Sequence, residues 1–204
     1  MEVLLIRHAE SVGNAENRIQ GWSDSPLSER GRRQAIALAR RLAKEFNINA
    51  LYTSTLRRAW ETAEIIHATL GVPLHADDRL KEYDCGIVTG LTDEEVTVLY
   101  PELHRRWQED PWKAPIPGAE DITEFATRVW AAMTDITARH NDSEVPAVIA
   151  HGGTIGIYLA QLIGLNPDLR QPWWFDNASL SIVRLGGIRP RIIRLNDICH
   201  LVES

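Results

Sequence analysis

Leu4-Leu5-Ile6-Arg7-His8-Ala9-Glu10-Ser11 begins as a short apolar run of strand formers and stops at a guanidinium and an imidazole. A strand that ends this way puts a cation and a versatile nitrogen base where a buried sheet meets solvent. In open α/β sheets ligands bind at the carboxyl ends of the strands. An imidazole there can act as nucleophile, general base or metal ligand. The adjoining guanidinium favours an anionic guest, because its planar fork matches oxyanions.

A second strand with the same ending lies far downstream. Val145 to Ala150 is apolar and runs straight into His151-Gly152-Gly153, whose small residues let backbone approach a ligand. Between the two, strand and helix patterns alternate. Ser28 is an N-cap for a helix with Ala35, Leu38, Ala39, Leu42 and Phe46 at helical spacing. Ile48 to Tyr52 reads as a strand, and a helix from about Thr55 follows, stopped by Gly71. Arg58 sits in the first turn of that helix, off its apolar stripe, where a helix N-terminus already favours anions. Val72 to His75 reads as another strand. Asp121 opens a long helix striped by Phe125, Ala126, Val129, Ala132, Met133 and Ile136. Leu180 to Leu185 and Arg191 to Leu195 read as strands around Gly186-Gly187. Arg32-Arg33 and Arg40-Arg41 fall on the polar face of their helix and are expected to be solvated. The alternation predicts an α/β fold: a three-layer αβα sandwich with a largely parallel central sheet and helices on both faces. Residues 1–204 read as one domain. Residues 87–118 change character, with four prolines, and read as a small lid excursion over the carboxyl edge. Trp107 and Trp112 within it are candidates for stacking on a sugar or base, with core packing the first expectation. Trp173-Trp174-Phe175 reads as an aromatic cluster or a subunit contact.

Composition narrows the partners. The 204 residues carry 22 basic and 28 acidic side chains, for a net charge of −6. Nucleic acid and anionic membranes are therefore not expected partners, and an anion must be bound in a local basic pocket. Two cysteines make no disulfide framework and fit a reducing, cytoplasmic setting. The N-terminus reads as neither signal peptide nor membrane span.

Arg7-His8-Ala9-Glu10-Ser11-Val12-Gly13-Asn14 resembles the Arg-His-Gly-Glu-Thr-x-x-Asn opening of the histidine phosphatase superfamily, also called phosphoglycerate mutase-like. Further likenesses follow in the family's order. They are Asp24-x-Pro26-Leu27-Ser28-x-x-Gly31, Ser54-x-Leu56-x-Arg58-Ala59, Leu80-x-Glu82, Pro117-x-Ala119-Glu120, His151-Gly152-Gly153 and Asn177-Ala178-Ser179. The resemblance implies a phosphohistidine mechanism. His8 would be the nucleophile and Glu82 the acid and base. Arg7, Asn14, Arg58 and His151 would bind the phosphoryl group. Trp22, Ser23, Cys85 and Gly152 are the expected pocket wall. No metal or cofactor is implied, because the cations are already in the protein. The segment Glu82-Tyr83-Asp84-Cys85-Gly86 and the shortness of the chain favour the branch of small bacterial phosphatases, resembling metal-independent phosphoserine phosphatases and α-ribazole phosphatases, over the mutases. A small phosphorylated metabolite is thus the expected partner, and a homodimer the expected assembly. The competing readings are a cofactor-dependent phosphoglycerate mutase and a non-catalytic scaffold for phosphorylated ligands. Ala9 departs from the family's glycine, which would matter if its φ were positive.

Overall fold

A computed structural model describes residues 1–109, 115–165 and 173–201. Six strands form one sheet: β1 (Glu2–Arg7), β2 (Ala50–Thr53), β3 (Leu74–Ala76), β4 (Pro146–Ala150), β5 (Leu180–Arg184) and β6 (Arg191–Asp197). Their spatial order is β3-β2-β4-β1-β5-β6, with β3, β2, β4 and β1 parallel and the β1–β5 and β5–β6 pairs antiparallel. The largely parallel sheet expected from the alternating pattern is present, extended by an antiparallel hairpin on one side.

The pleat divides the core in two. Leu4 and Ile6 of β1, with Ala147 and Ile149 of β4, pack with residues of α2 (Glu29–Glu45) and α3 (Arg57–Leu70). Val3 and Leu5, with Val148 and Ala150, pack on the other face with α6 (Ile122–Ala138) and α7 (Gly152–Leu162). Strands buried on both faces must be apolar throughout, which is why β1 and β4 read as continuous hydrophobic runs. α1 (Val12–Ala15) is a single turn after β1.

The helices begin and end as side-chain chemistry dictates. Ser28 caps α2 by accepting from the Gly31 amide, and Asp121 caps α6 by accepting from Thr123 and Glu124. Gly71 closes α3 with φ of 67°. Element edges differ from the sequence reading by a residue or two: β4 starts at Pro146 rather than Val145, β5 ends at Arg184 rather than Leu185, and β6 runs to Asp197 rather than Leu195. β2 starts at Ala50 rather than Ile48, α3 at Arg57 rather than Thr55, and β3 occupies Leu74–Ala76 rather than Val72–His75. Leu56 is held extended as the N-cap of α3, which delays the helix by a turn's fraction.

The stretch between η-turn Gly86–Val88 and Gly118 holds α4 (Asp93–Leu99) and α5 (Pro101–Glu109). Its base is closed where Ile87 donates to the Pro117 carbonyl and Glu120 to that of Asp84. It leans on the loop after α1 through Ile19, whose amide and carbonyl bond to Leu91 and Gly90. Trp107 is half-buried there; Trp112 lies outside the described residues. The expected aromatic cluster divides: Phe175 is buried, Trp173 packs at the core's edge, and Trp174 is 75% exposed. Among the described residues no helix is long and apolar enough to cross a membrane.

The topology selects one crevice. From β1 the chain crosses by α2 toward β2, on one side of β1. From β4 it crosses by α7 on the opposite face to β5, on the other side of β1. Neighbouring parallel strands whose connections depart in opposite directions leave an open cleft at their carboxyl ends. β1 and β4 are that pair.

Candidate active site

The β1–β4 register pairs Ile6 with Ile149 and Arg7 with Ala150, so the next residues, His8 and His151, emerge side by side. The His8 amide still donates to the Ala150 carbonyl at 2.9 Å. The two rings stand 5.1 Å apart between centroids, and both side chains are almost wholly buried.

His8 Nδ1 lies 2.7 Å from the Ala9 carbonyl. A carbonyl can only accept, so Nδ1 carries the hydrogen. Nε2 is then the bare nitrogen, and Arg58 Nε donates to it at 3.2 Å. Burial holds the His8 pKa well below 6.5, reinforced by the positive charges of Arg58 and Arg7. At neutral pH the ring is uncharged, with its lone pair facing the cleft's cations. Ala9 needs no left-handed backbone: among the described residues the non-glycines with positive φ are Asn17, Ala178 and Asn196. The Ala9 amide donates to the Thr62 hydroxyl, and its methyl group is fully buried.

Arg58 is 1% exposed and, among the described residues, forms no ion pair with a carboxylate. Its NH1 and NH2 donate to the carbonyls of Ser23 and Gly21 at 2.9 and 2.8 Å. Desolvation pushes its pKa down to about 10, still protonated at neutral pH. Ser23 therefore contributes its backbone, not its hydroxyl. Arg7 NH1 donates to the Phe175 carbonyl, and Arg7 Nε is buried without a hydrogen-bond partner among the described residues. Burial lowers the Arg7 pKa, while Glu82 and Asp176 act to raise it.

His151 Nε2 lies 2.8 Å from Ser54 Oγ, and His151 Nδ1 is the second buried site nitrogen without a partner among the described residues. Burial first, then Arg58, His8, Arg7 and Arg128, hold its pKa well below 6.5. Arg7 Nε and His151 Nδ1 are polar atoms whose burial is costly unless a ligand satisfies them. An anion bound over His8 does so.

Asn14 is fixed from two sides. Its amide oxygen accepts from the Ser11 backbone at 3.2 Å and from Asn177 Nδ2 at 3.1 Å, which turns its Nδ2 outward as a donor. Asn177 also bonds the His8 carbonyl at 3.2 Å. Glu82 reaches the start of α7, two residues beyond His151. Its carboxylate accepts from the amides of Tyr83 at 2.9 Å and Gly153 at 3.0 Å. Trp22, 43% exposed, donates from Nε1 to the Glu82 carbonyl at 2.7 Å. Gly152 opens α7 beside Arg7, and a Cβ there would stand 3.8 Å from Arg7 Nε. Cys85 lies against Gly21, the residue whose carbonyl holds Arg58. Thus Arg7, His8, Asn14, Arg58, Glu82 and His151 converge, with Trp22, Ser23, Cys85 and Gly152 around them.

Ser54 and Asn177 belong to the site but were not singled out from sequence. Both stand within stretches that matched the family pattern, which was their only signal. Arg41 overturns an expectation: it is buried rather than solvated. It donates to Asp197 at 2.6 Å and to Glu45 at 3.1 Å, and its NH1 lies 3.1 Å from His200 Nδ1. The segment after β6 folds back over α2 and covers what helical periodicity marks as a polar face.

The family model described as histidine phosphatase superfamily (branch 1) matches residues 3–198. Phosphoserine phosphatase 1 of Hydrogenobacter thermophilus is 37% identical, over 100% of this chain and 95% of that protein. The solved structure of Bacillus stearothermophilus YhfR superposes with a TM-score of 0.88 at 31% identity, covering 98% of each chain. A mycobacterial glucosyl-3-phosphoglycerate phosphatase, solved as a complex with VO3, superposes with a TM-score of 0.82 at 31% identity, over 96% of this chain and 98% of that one. The chain belongs to the histidine phosphatase superfamily, branch 1, and is a phosphatase of that family.

Proposed function

We propose that the protein is a metal-independent phosphomonoesterase that cleaves a small phosphorylated metabolite through a phosphohistidine on His8. The observation that carries this is the fixed tautomer of His8: Nδ1 bound to a carbonyl, Nε2 bare beneath Arg58. Nε2 attacks phosphorus in line, and the P–O bond to the leaving alcohol breaks. Glu82 gives that oxygen its proton. Glu82, now ionised, takes a proton from water, which attacks phosphorus from the vacated side. The P–N bond breaks, its electrons return to the imidazole, and inorganic phosphate leaves. Arg7, Arg58, His151 and Asn14 hold the phosphoryl oxygens and offset charge as it develops. The Ser54 hydroxyl can donate to His151 Nε2, which leaves Nδ1–H for an oxygen of the ester. Cations already in place do the work a metal would do.

The likeness to a phosphoserine phosphatase supports a phosphoserine-like substrate, and that to a glucosyl-3-phosphoglycerate phosphatase supports a broader range. Residues 87–118 act as the lid. A cytoplasmic location and a homodimer belong to the same proposal; exposed Trp174 and Ile188 supply apolar surface for the latter.

The test is phosphate release in excess chelator from phosphoserine, α-ribazole phosphate, glucosyl-3-phosphoglycerate, 3-phosphoglycerate and an aryl phosphate. His8→Ala is the control and should release none. Preference for one compound by about a hundredfold, or roughly 2.7 kcal/mol of transition-state discrimination, marks a dedicated enzyme. Comparable rates mark a broad one. Activity lost to the chelator, or retained by His8→Ala, would sink the proposal.

A further inference from the structure

Glu120, in the Pro117-x-Ala119-Glu120 stretch, and Arg128 have no part in the chemistry described so far. In the structure the two meet. Arg128, on α6, is only 18% exposed at its side chain, and Glu120 12%. The Arg128 guanidinium uses all five of its N–H groups. NH1 donates to the carbonyls of Arg79 at 2.8 Å and Lys81 at 2.7 Å. NH2 donates to the Glu82 carbonyl at 2.8 Å and to Glu120 Oε2 at 2.7 Å, and Nε donates to Glu120 Oε1. Its flat face lies 4.8 Å from the Phe125 ring.

Three of those bonds fall on the backbone between Arg79 and Glu82. The Glu82 carbonyl is gripped twice, by Arg128 and by Trp22 Nε1. Glu120 extends the grip beyond Glu82, with its backbone amide on the Asp84 carbonyl at 3.0 Å. A carboxyl group that must reach a leaving oxygen and then a water tolerates little drift, since a misplacement of about 1 Å can cost a hundredfold in rate. Among the described residues the Glu82 side chain has two anchors of its own, the amides of Tyr83 and Gly153. Its main chain has to be rigid for those to define one position.

We propose that Arg128 is the positioning residue for Glu82: paired with Glu120, it clamps the 79–82 main chain so that the carboxyl group meets the leaving oxygen. Lysine cannot replace it, because a single ammonium has three donors and no planar fork to bridge three carbonyls and a carboxylate. This inference rests on the role of Glu82 proposed above.

The test compares kcat/KM for phosphoserine, a poor leaving group, with that for 4-nitrophenyl phosphate, which departs without a proton. Wild type, Arg128→Lys, Glu82→Gln and the double variant are measured. Arg128→Lys should lose about a hundredfold on phosphoserine and less than about threefold on the aryl ester. In the Glu82→Gln background it should add almost nothing. Equal losses on both esters, or a full further loss in the double variant, reduce Arg128 to a folding role and overturn the inference alone. A Glu82→Gln enzyme indifferent to the leaving group overturns the role of Glu82 and the inference with it. Should Arg128→Lys not fold, Glu120→Gln keeps the fork but weakens its anchor. That variant should show the same leaving-group bias in milder form, and an unbiased loss there overturns the inference.

Discussion

A histidine that is to attack phosphorus must offer a lone pair, and protonation removes it. Burial beside two guanidinium groups keeps His8 and His151 neutral, and this has a consequence for stability. Unfolded histidine takes up a proton near pH 6.5, while these two, whose folded pKa values lie well below that, do not. The unfolded chain therefore binds more protons as pH falls below 6.5, so stability is full above that value and declines beneath it. Each ring contributes a slope of up to about 1.4 kcal/mol per pH unit until its folded pKa is reached. Unfolding in urea between pH 8 and pH 5 should show a plateau, then a fall that begins near 6.5. Replacing His151 by glutamine should flatten that fall. A second residue-scale expectation concerns Ser54. Ser54→Ala removes the partner of His151 Nε2, leaves the ring free to turn, and should lower kcat/KM by about tenfold, or ~1.4 kcal/mol. Steady-state kinetics with the best substrate checks it. The ionic members of the site were legible in the sequence because each stands at the end of a patterned element: His8 and His151 after strands, Arg58 in a first helical turn. The acceptors that aim Arg58 were not, because they are the main-chain carbonyls of Gly21 and Ser23, and a carbonyl has no letter of its own.

At the scale of the element, α7 begins with two glycines for a reason the second one shows. A Cβ at Gly153 would come 2.3 Å from Glu82 Oε1. That oxygen ends a flexible side chain, so Gly153→Ala should fold and push the carboxyl group aside. Turnover of an alkyl phosphate should drop by roughly a hundredfold, as for loss of a general acid. The thermal midpoint should move by less than about 3 °C; a matching collapse of stability would refute this account. Element types were readable from periodicity, but their edges depended on bonds that periodicity does not carry. Ser54 Oγ receives the Leu56 amide at 3.2 Å, and Leu56 then stays extended as the cap of α3. The sequence there, Ser54-Thr55-Leu56-Arg57-Arg58, leaves the first helical residue unmarked.

The whole molecule explains the misread face of α2. Asp197, across 156 positions of sequence, holds the Arg41 guanidinium, and its own pKa sits well below the usual carboxylate range chiefly because of that bond. The same cluster carries His200, whose Nε2 lies 3.0 Å from the Ala178 carbonyl, and Ala178 in turn donates to the His8 carbonyl at 3.0 Å. Arg41→Met takes one guanidinium from Asp197, which keeps Arg194 at 3.0 Å and the Cys199 amide at 2.9 Å, and should cost about 1–2 kcal/mol, read as a lower urea midpoint. No local pattern foretells a pair so distant; only the folded chain brings its halves together.

The order of the strands also sets a timetable. β1 leads the chain, yet both its neighbours come late: β4 ends at Ala150 and β5 at Arg184. A ribosome adding about 5–20 residues per second needs roughly 7–28 s to go from His8 to Ala150. Throughout that interval Val3-Leu4-Leu5-Ile6 is a sticky leading segment with no sheet to join. Loop closure over such spans makes folding slow and leaves the nascent chain open to chaperones and to aggregation. Translation cut short anywhere before β4 yields a chain that carries His8 but has nowhere to bury it.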